Sequence, residues 1–226
     1  MYLLDMIWPY LPQFAAGLKL TLLVSLGSFL IAMLVAILAV PLIMSGPKLV
    51  RMFLGGYVQI VRGVPELLVI FMVFYGGTVV LSTISGSYFE VDALSAGIAA
   101  LAAVAFAYLL EILRAALISI PAGQREAGQV LGLKRHQVFS RIIFPQMLMR
   151  ALPGIGNQWL ISLKESALVS VVGLEELMRH SVIAAGATRE PMVFYLLAAL
   201  IYVAITGIST FLLRQAELRL SSGKQS

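Results

Sequence analysis

The sequence has no cysteine, only two histidines, and aspartate only at Asp5 and Asp92. Without cysteine, disulfides and thiolate metal centres are excluded. The histidines, His136 and His180, lie outside the long uncharged stretches where an intramembrane Ser–His pair would sit. Both aspartates also lie outside them, which excludes a buried aspartyl dyad. No GxxxxGK[ST] occurs, so the chain has no P-loop and cannot draw on a nucleotide by that route. Charge is scarce: Asp, Glu, Lys and Arg make up 12% of the residues, with a net charge of +5. What fills the chain is apolar, at 60% hydrophobic residues and a mean hydropathy of +0.96. A water-solvated fold of 226 residues needs more surface charge, whereas a lipid-solvated one does not. The opening MYLLDMIWPYLPQ has no basic n-region and carries Asp5, so the first apolar stretch is expected to be retained rather than cleaved. No internal repeat or low-complexity block is visible.

Residues 20–44, 67–89, 93–110 and 191–213 are free of charge, and each suits one crossing of about 20 residues. A further segment, 151–174, crosses only if Lys164 and Glu165 lie inside the membrane region. The expectation is an all-α membrane protein with five transmembrane helices at about 18–44, 57–84, 93–116, 151–174 and 191–213, in one domain over 1–226. Lys48, Arg51 and Arg62 mark the first connection, Arg114 to Arg150 the third, and Arg214, Arg219 and Lys224 follow the last span. Lys and Arg favour the cytoplasmic side, which puts the N-terminus outside and the C-terminus in the cytoplasm. The closing SSGKQS is expected to fray.

The charged connection, about 117–150, carries a helical pattern. SIPAG closes the third span, and Pro121 suits a helix start. Ala127, Val130 and Leu131 can share a face before Gly132 breaks the run. Val138, Phe139, Ile142 and Ile143 then repeat as on an amphipathic helix, which Pro145 is expected to end. One reading is a basic hairpin resting on anionic headgroups. Glu126 in the first helix, and Gly128 and Gly132 at the bend, favour contact with another protein surface instead, since glycine permits close approach.

These residues resemble a known family. Glu126-Ala127-Gly128, three residues, Gly132, nine residues, then Ile142-Ile143-Phe144-Pro145 is similar to the EAA loop of bacterial ABC-importer permeases. Gly128 stands where a second alanine is usual, and Phe144 where leucine is. RGVPELLVIFMVFYG (Arg62 to Gly76), EILRAALISIPAGQREA (Glu111 to Ala127) and ALPGIGNQWLISLKESALVS (Ala151 to Ser170) resemble segments of the polar amino-acid subfamily, nearest its histidine, basic amino-acid and opine importers. The resemblance implies a single type I (MetI-like) permease domain in a bacterial inner membrane. It would pair with an identical or homologous permease, an ABC ATPase dimer holding ATP and magnesium, and a periplasmic or lipid-anchored binding protein. It implies no cofactor in this chain, no catalytic or metal-ligating residue, and no nucleic-acid partner. Glu126, Ala127, Gly128, Gly132, Phe139 and Pro145 would then carry ATPase coupling.

Charges at depth are expensive: an ionised group near the bilayer centre costs about 2.5–3.5 kcal/mol on insertion scales. Lys164 and Glu165 therefore either brace the fold or face a translocation path. Glu111 and Arg114, three apart, can form an intrahelical ion pair, and Arg62 and Glu66, four apart, admit the same reading. Gly154 to Asn157 (GIGN) is expected to unwind and line a cavity, as irregular backbone at depth must. Asn157, Lys164, Glu165, Glu111 and Tyr108 are the candidates for a substrate path, while Tyr75 and Tyr195 suit interface anchoring. The competing function is an autonomous channel or secondary carrier. Carriers built from small subunits can use inverted dimers, but the Lys/Arg asymmetry argues against dual insertion and an odd span count gives no tidy repeat.

Overall fold

The computed structural model describes residues 2–222, with side chains from 5 to 219. The last four residues of SSGKQS lie outside the described residues. All regular structure described is helical. After a short helix, Tyr2–Ile7, and a 3-10 turn, Trp8–Tyr10, helix α1 runs Leu11–Ser45. Gly17, Thr21, Ser25, Ser28, Ala32 and Ala36 form its buried stripe at helical spacing. Leu22, Leu26, Leu30, Leu34 and Leu38 point outward. Small residues inside and leucines outside is the arrangement of a helix that packs backbone-close in lipid.

Helix α2, Lys48–Gly63, is amphipathic and buries Val58. It ends at Val64, extended at φ −105° and ψ 136°, because the Pro65 ring disfavours helical geometry in the residue before it. Helix α3, Glu66–Ser85, follows and contains one π-helical turn, Met72–Gly76. The stretch expected as one span over 57–84 is thus two helices with a break between them.

Helix α4, Ala93–Ile118, is the buried centre of the bundle. Asp92 caps it, accepting from the Ser95 N–H at 2.9 Å. Its Leu109, Leu110 and Leu113 share a core with Ala32, Ala36 and Val40 of α1 and with Met147 and Ala151 further on.

Helix α5, Ala122–Val130, starts beyond Pro121 as the sequence predicts. Helix α6 then runs without interruption over 135–165, as Arg135–Val138, a π-helical turn Phe139–Ile143, and Phe144–Glu165. Here two expectations are corrected. Pro145 does not end the amphipathic helix: the π-helical turn before it absorbs the missing N–H and the clash with the carbonyl four residues back. GIGN does not unwind either. Cβ atoms added to Gly154 and Gly156 would lie 2.8 Å from Ile112 and 3.3 Å from Leu213, so these glycines serve close helix packing. The irregular backbone instead comes after Glu165, as the 3-10 turn Ser166–Val172 and Gly173 at φ 94°. Helices α7, Leu177–Thr188, and α8, Pro191–Ser222, complete the chain.

Among the described residues, four segments suit a crossing by length and hydropathy: Asp5–Ser45, Glu66–Ser85, Ala93–Ile118 and Pro191–Arg219. Helix α6 falls outside that set, and it carries Arg150, Lys164 and Glu165.

Candidate functional site: a protruding hairpin and a charged helix face

Helices α5 and α6 meet in a tight hairpin closed by Gly132 at φ 75°. The Leu133 N–H donates to the Gly128 carbonyl at 3.1 Å, and the Gly132 N–H to that of Gln129 at 2.9 Å. This is a Schellman closure, which satisfies the last carbonyls of α5 and requires a left-handed residue at Gly132. The next helix is capped by Gln137, whose side-chain oxygen accepts from the Lys134 N–H at 2.9 Å.

The inner face of the hairpin is clamped. A Cβ on Gly128 would sit 2.9 Å from Ile142 and 3.0 Å from Val138, so the surface that approaches Gly128 belongs to this chain's own α6. The Arg150 guanidinium donates to the Ser119 carbonyl at 2.8 Å and reaches the Ser119 hydroxyl at 3.2 Å. Gln146 donates to Gln124 at 3.3 Å. These bonds tie the root of α5 to α6.

The outer face and tip are bare. Glu126, Ala127 and Pro145 are exposed, Phe139 is half-buried, and Gly132 has open space where a side chain would go. Val130 and Leu131 are 87% and 77% exposed. An apolar pair so open, on charged ground, marks a surface built to be covered. The sequence pattern placed both residues on one face with Ala127; their prominence comes from the bend.

The other predicted site residues fall into groups. Glu111 and Arg114 form the bidentate ion pair, at 2.6 and 2.9 Å. Arg62 and Glu66 do not pair, because the Val64–Pro65 break separates their helices. Arg62 instead lies over the Tyr108 ring, 5.2 Å from its centroid, within electrostatic reach of Glu111. Glu66 and Lys164 both lie within electrostatic reach of Glu165. Neither Glu66 nor Glu165 has a hydrogen bond or ion pair through its carboxylate among the described residues. Lys164 also lines a groove of about 580 Å³ with Tyr202, Thr206, Thr210 and Arg214. Asn157 is exposed, while Gln158 is buried. Tyr75 and Tyr195 are exposed, at 55% and 41%.

One polar group was not foreseen. Glu176 is fully buried at the start of α7. One carboxylate oxygen accepts from the Arg179 N–H at 2.8 Å; the other accepts from the Thr21 hydroxyl at 3.2 Å and from Tyr202 at 3.1 Å. The Thr21 oxygen in turn accepts from the Leu177 N–H at 3.2 Å. A Cβ on Gly17 would fall 2.7 Å from His180 and 2.9 Å from the Leu177 nitrogen, so α1 and α7 touch almost backbone to backbone. The signal available in the sequence was the run Gly17, Thr21, Ser25, Ser28 inside an apolar helix, at a spacing that puts all four on one face.

Comparison with known proteins gives one answer. Residues 28–222 match the family described as binding-protein-dependent transport system inner membrane component. The octopine transport system permease protein OccQ of Agrobacterium tumefaciens (strain Ach5) is 36% identical over 211 residues, covering 91% of this chain and 89% of that one. The histidine/lysine/arginine/ornithine transport system permease protein HisQ of Escherichia coli (strain K12) is 35% identical over 211 residues, covering 92% of each chain. A crystal structure of an amino acid ABC transporter with histidines aligns with a TM-score of 0.84 at 31% identity, over 94% of this chain and 96% of that one. An inward-facing form of the MetNI methionine ABC transporter shares the fold, with a TM-score of 0.76 at 19% identity over 93% and 97%.

Proposed function

The chain belongs to the family of binding-protein-dependent transport system inner membrane components, and from that premise we propose how its parts divide the work of import. It is an integral membrane protein and the permease subunit of an ABC amino-acid importer. Five crossings, by α1, α3, α4, α6 and α8, are our reading, with the N-terminus outside and the C-terminus in the cytoplasm of a bacterium with this protein in its inner membrane. The clustering of Lys and Arg at the hairpin end supports it.

ATP is hydrolysed on a separate ATPase dimer that docks on the hairpin through Glu126, Ala127, Gly132 and the exposed Val130 and Leu131. Gly128, Phe139 and Pro145 act from behind, by shaping α6 and seating α5 on it. The chain itself holds no nucleotide or metal. The observation that carries this reading is the continuity of α6. One helix, about 45 Å long at 1.5 Å per residue, runs from the hairpin bend to Lys164 and Glu165. A push at the docking surface is carried to the charged face along one continuous helix, with the π-helical turn Phe139–Ile143 and Pro153 as the places where it would bend.

The substrate class is a basic amino acid. Glu66 and Glu165 offer two unpaired carboxylates to a cationic side chain, and relatives are named for octopine and for histidine, lysine, arginine and ornithine. Tyr108, Glu111 and Arg62 line the same path. Asn157 lies nearer the hairpin along α6 and is the weakest member. A second permease subunit completes the pore, and a binding protein delivers substrate from outside.

The test is co-purification from mild detergent, with the tagged chain expressed among its native partners. We expect a P-loop ATPase to accompany the wild-type chain in stoichiometric amount and to be lost from Gly132→Arg, which inserts normally. A chain that purifies alone, stable and moving solute in liposomes without ATP would overturn the reading in favour of a channel or carrier.

A further inference from the structure

A groove of about 440 Å³ lies between the hairpin and the membrane body, and none of the docking residues Glu126, Ala127, Val130, Leu131 and Gly132 lines it. Its floor is apolar and comes from the ends of two long helices, Pro41 and Met44 of α1 and Leu117 of α4. Its rim comes from the hairpin and carries Arg125, Arg135 and His136. No acidic residue lines it. None of the three rim side chains makes a hydrogen bond or an ion pair among the described residues. Elsewhere in the hairpin polar side chains do find partners, as Arg150 does on Ser119. Two guanidinium groups over an apolar slot therefore stand free.

We propose that this groove binds an anionic phospholipid, with its phosphate between Arg125 and Arg135 and an acyl chain along Pro41, Met44 and Leu117. The guanidinium fork matches a phosphate in geometry and charge. Anionic lipids are abundant where a basic juxtamembrane rim meets the cytoplasmic leaflet. An acidic segment of the ATPase would satisfy the rim but has no use for the floor, which lies at the membrane ends of α1 and α4. The bound headgroup pins the hairpin against α1, so lipid composition would set how freely the hairpin follows the ATPase. The proposal rests on the reading that this end of the bundle faces the cytoplasm.

The experiment titrates the purified full-length chain in detergent with dioleoylphosphatidylglycerol and, separately, dioleoylphosphatidylcholine, and reads bound lipid by native mass spectrometry. The wild type is expected to retain phosphatidylglycerol preferentially. The double variant Arg125→Gln/Arg135→Gln loses at least tenfold in apparent affinity, and Arg125→Lys/Arg135→Lys recovers part of it. Equal binding of both lipids, or unchanged phosphatidylglycerol affinity in the glutamine variant, would overturn the proposal. So would displacement of the lipid by an equal concentration of inorganic phosphate, which would mark a simple anion site. Displacement by the purified ATPase would assign the groove to protein docking instead. Lipid binding by the isolated chain does not depend on ATPase capture, so failure here and failure of the importer reading are separable.

Discussion

The two ends of this bundle handle charge in opposite ways. At the Glu176 end, a carboxylate is removed from solvent completely and each of its oxygens receives a hydrogen bond from Arg179, Thr21 or Tyr202. At the hairpin end, Glu126 stands exposed beside the bare Val130 and Leu131, while bonds such as Arg150 to Ser119 and Gln146 to Gln124 tie α5 to α6. A polar cluster that is satisfied within its own chain belongs to the fold. A surface whose groups are rigidly held yet unsatisfied belongs to a partner.

The largest effect should come from breaking the satisfied end. Glu176→Ala leaves two hydroxyls and one backbone N–H without an acceptor, at about 1–3 kcal/mol for each that stays buried. The expected result is a drop of several degrees in the thermal midpoint of the detergent-solubilised chain and a lower yield, with Glu176→Gln falling between. An unchanged midpoint in the alanine variant would show that this cluster does not hold α1, α7 and α8 together.

At the hairpin the prediction reverses, with function failing while the fold survives. Gly132 sits at φ 75° with open space beyond it, so the backbone, rather than packing, limits what replaces it. A left-handed conformation costs an ordinary L-residue about 1–2 kcal/mol and asparagine less. Gly132→Val should cut uptake severely with only a small drop in the thermal midpoint, and Gly132→Asn should restore most of both. Equal loss in both would place the defect in the added bulk and not in the turn.

A smaller, selective effect is expected on the charged face. Glu165→Gln or Glu66→Gln removes one carboxylate from a cationic substrate, a charged interaction worth about 1.5–3 kcal/mol. That is a rise of about tenfold or more in KM for arginine uptake. Uptake of a neutral amino acid measured beside it should be unaffected, and a parallel loss for both would make these residues braces of the fold. The smallest effect belongs to Gly128→Ala. The added Cβ comes within 2.9 Å of the Ile142 side-chain end and 3.0 Å of a Val138 methyl, so both must shift slightly, while alanine recovers about 0.5–1 kcal/mol of helix propensity. Uptake close to that of the wild type is expected, and a large loss would mean that the hairpin admits no give.

What the sequence made legible follows the same divide. The hairpin was readable because its signals are local: Pro121 at a helix start, Gly132 at a turn, and apolar residues at helical spacing between them. The ion pair of Glu111 and Arg114 was readable for the same reason, three residues apart on one helix. Pairings that depend on tertiary geometry were not. Arg62 and Glu66 read as neighbours, although Pro65 between them is itself a local signal that ends α2 at Val64. Gly154 and Gly156 read as an unwound loop because the same residue that frees a backbone also lets Ile112 and Leu213 pack against it. Pro145 read as a helix end because the π-helical turn that accommodates it leaves no local mark. Glu176 was hidden because Thr21 and Tyr202, its partners, are remote from it in sequence.

The central claim is that the bare tip of the hairpin receives the ATPase and that α6 carries the motion inward. The most direct measurement is uptake and ATP hydrolysis recorded together in proteoliposomes holding the complete transporter, for the wild type and for Leu131→Asp. Leu131 is 77% exposed and is not among the residues packed into the bundle core, so the substitution should leave the thermal midpoint unchanged. The account predicts that uptake falls by more than about tenfold and that hydrolysis no longer responds to the loaded binding protein, as expected when a buried contact at the centre of an interface is lost. Wild-type uptake and hydrolysis in that variant would contradict it, and would return the hairpin to the membrane surface.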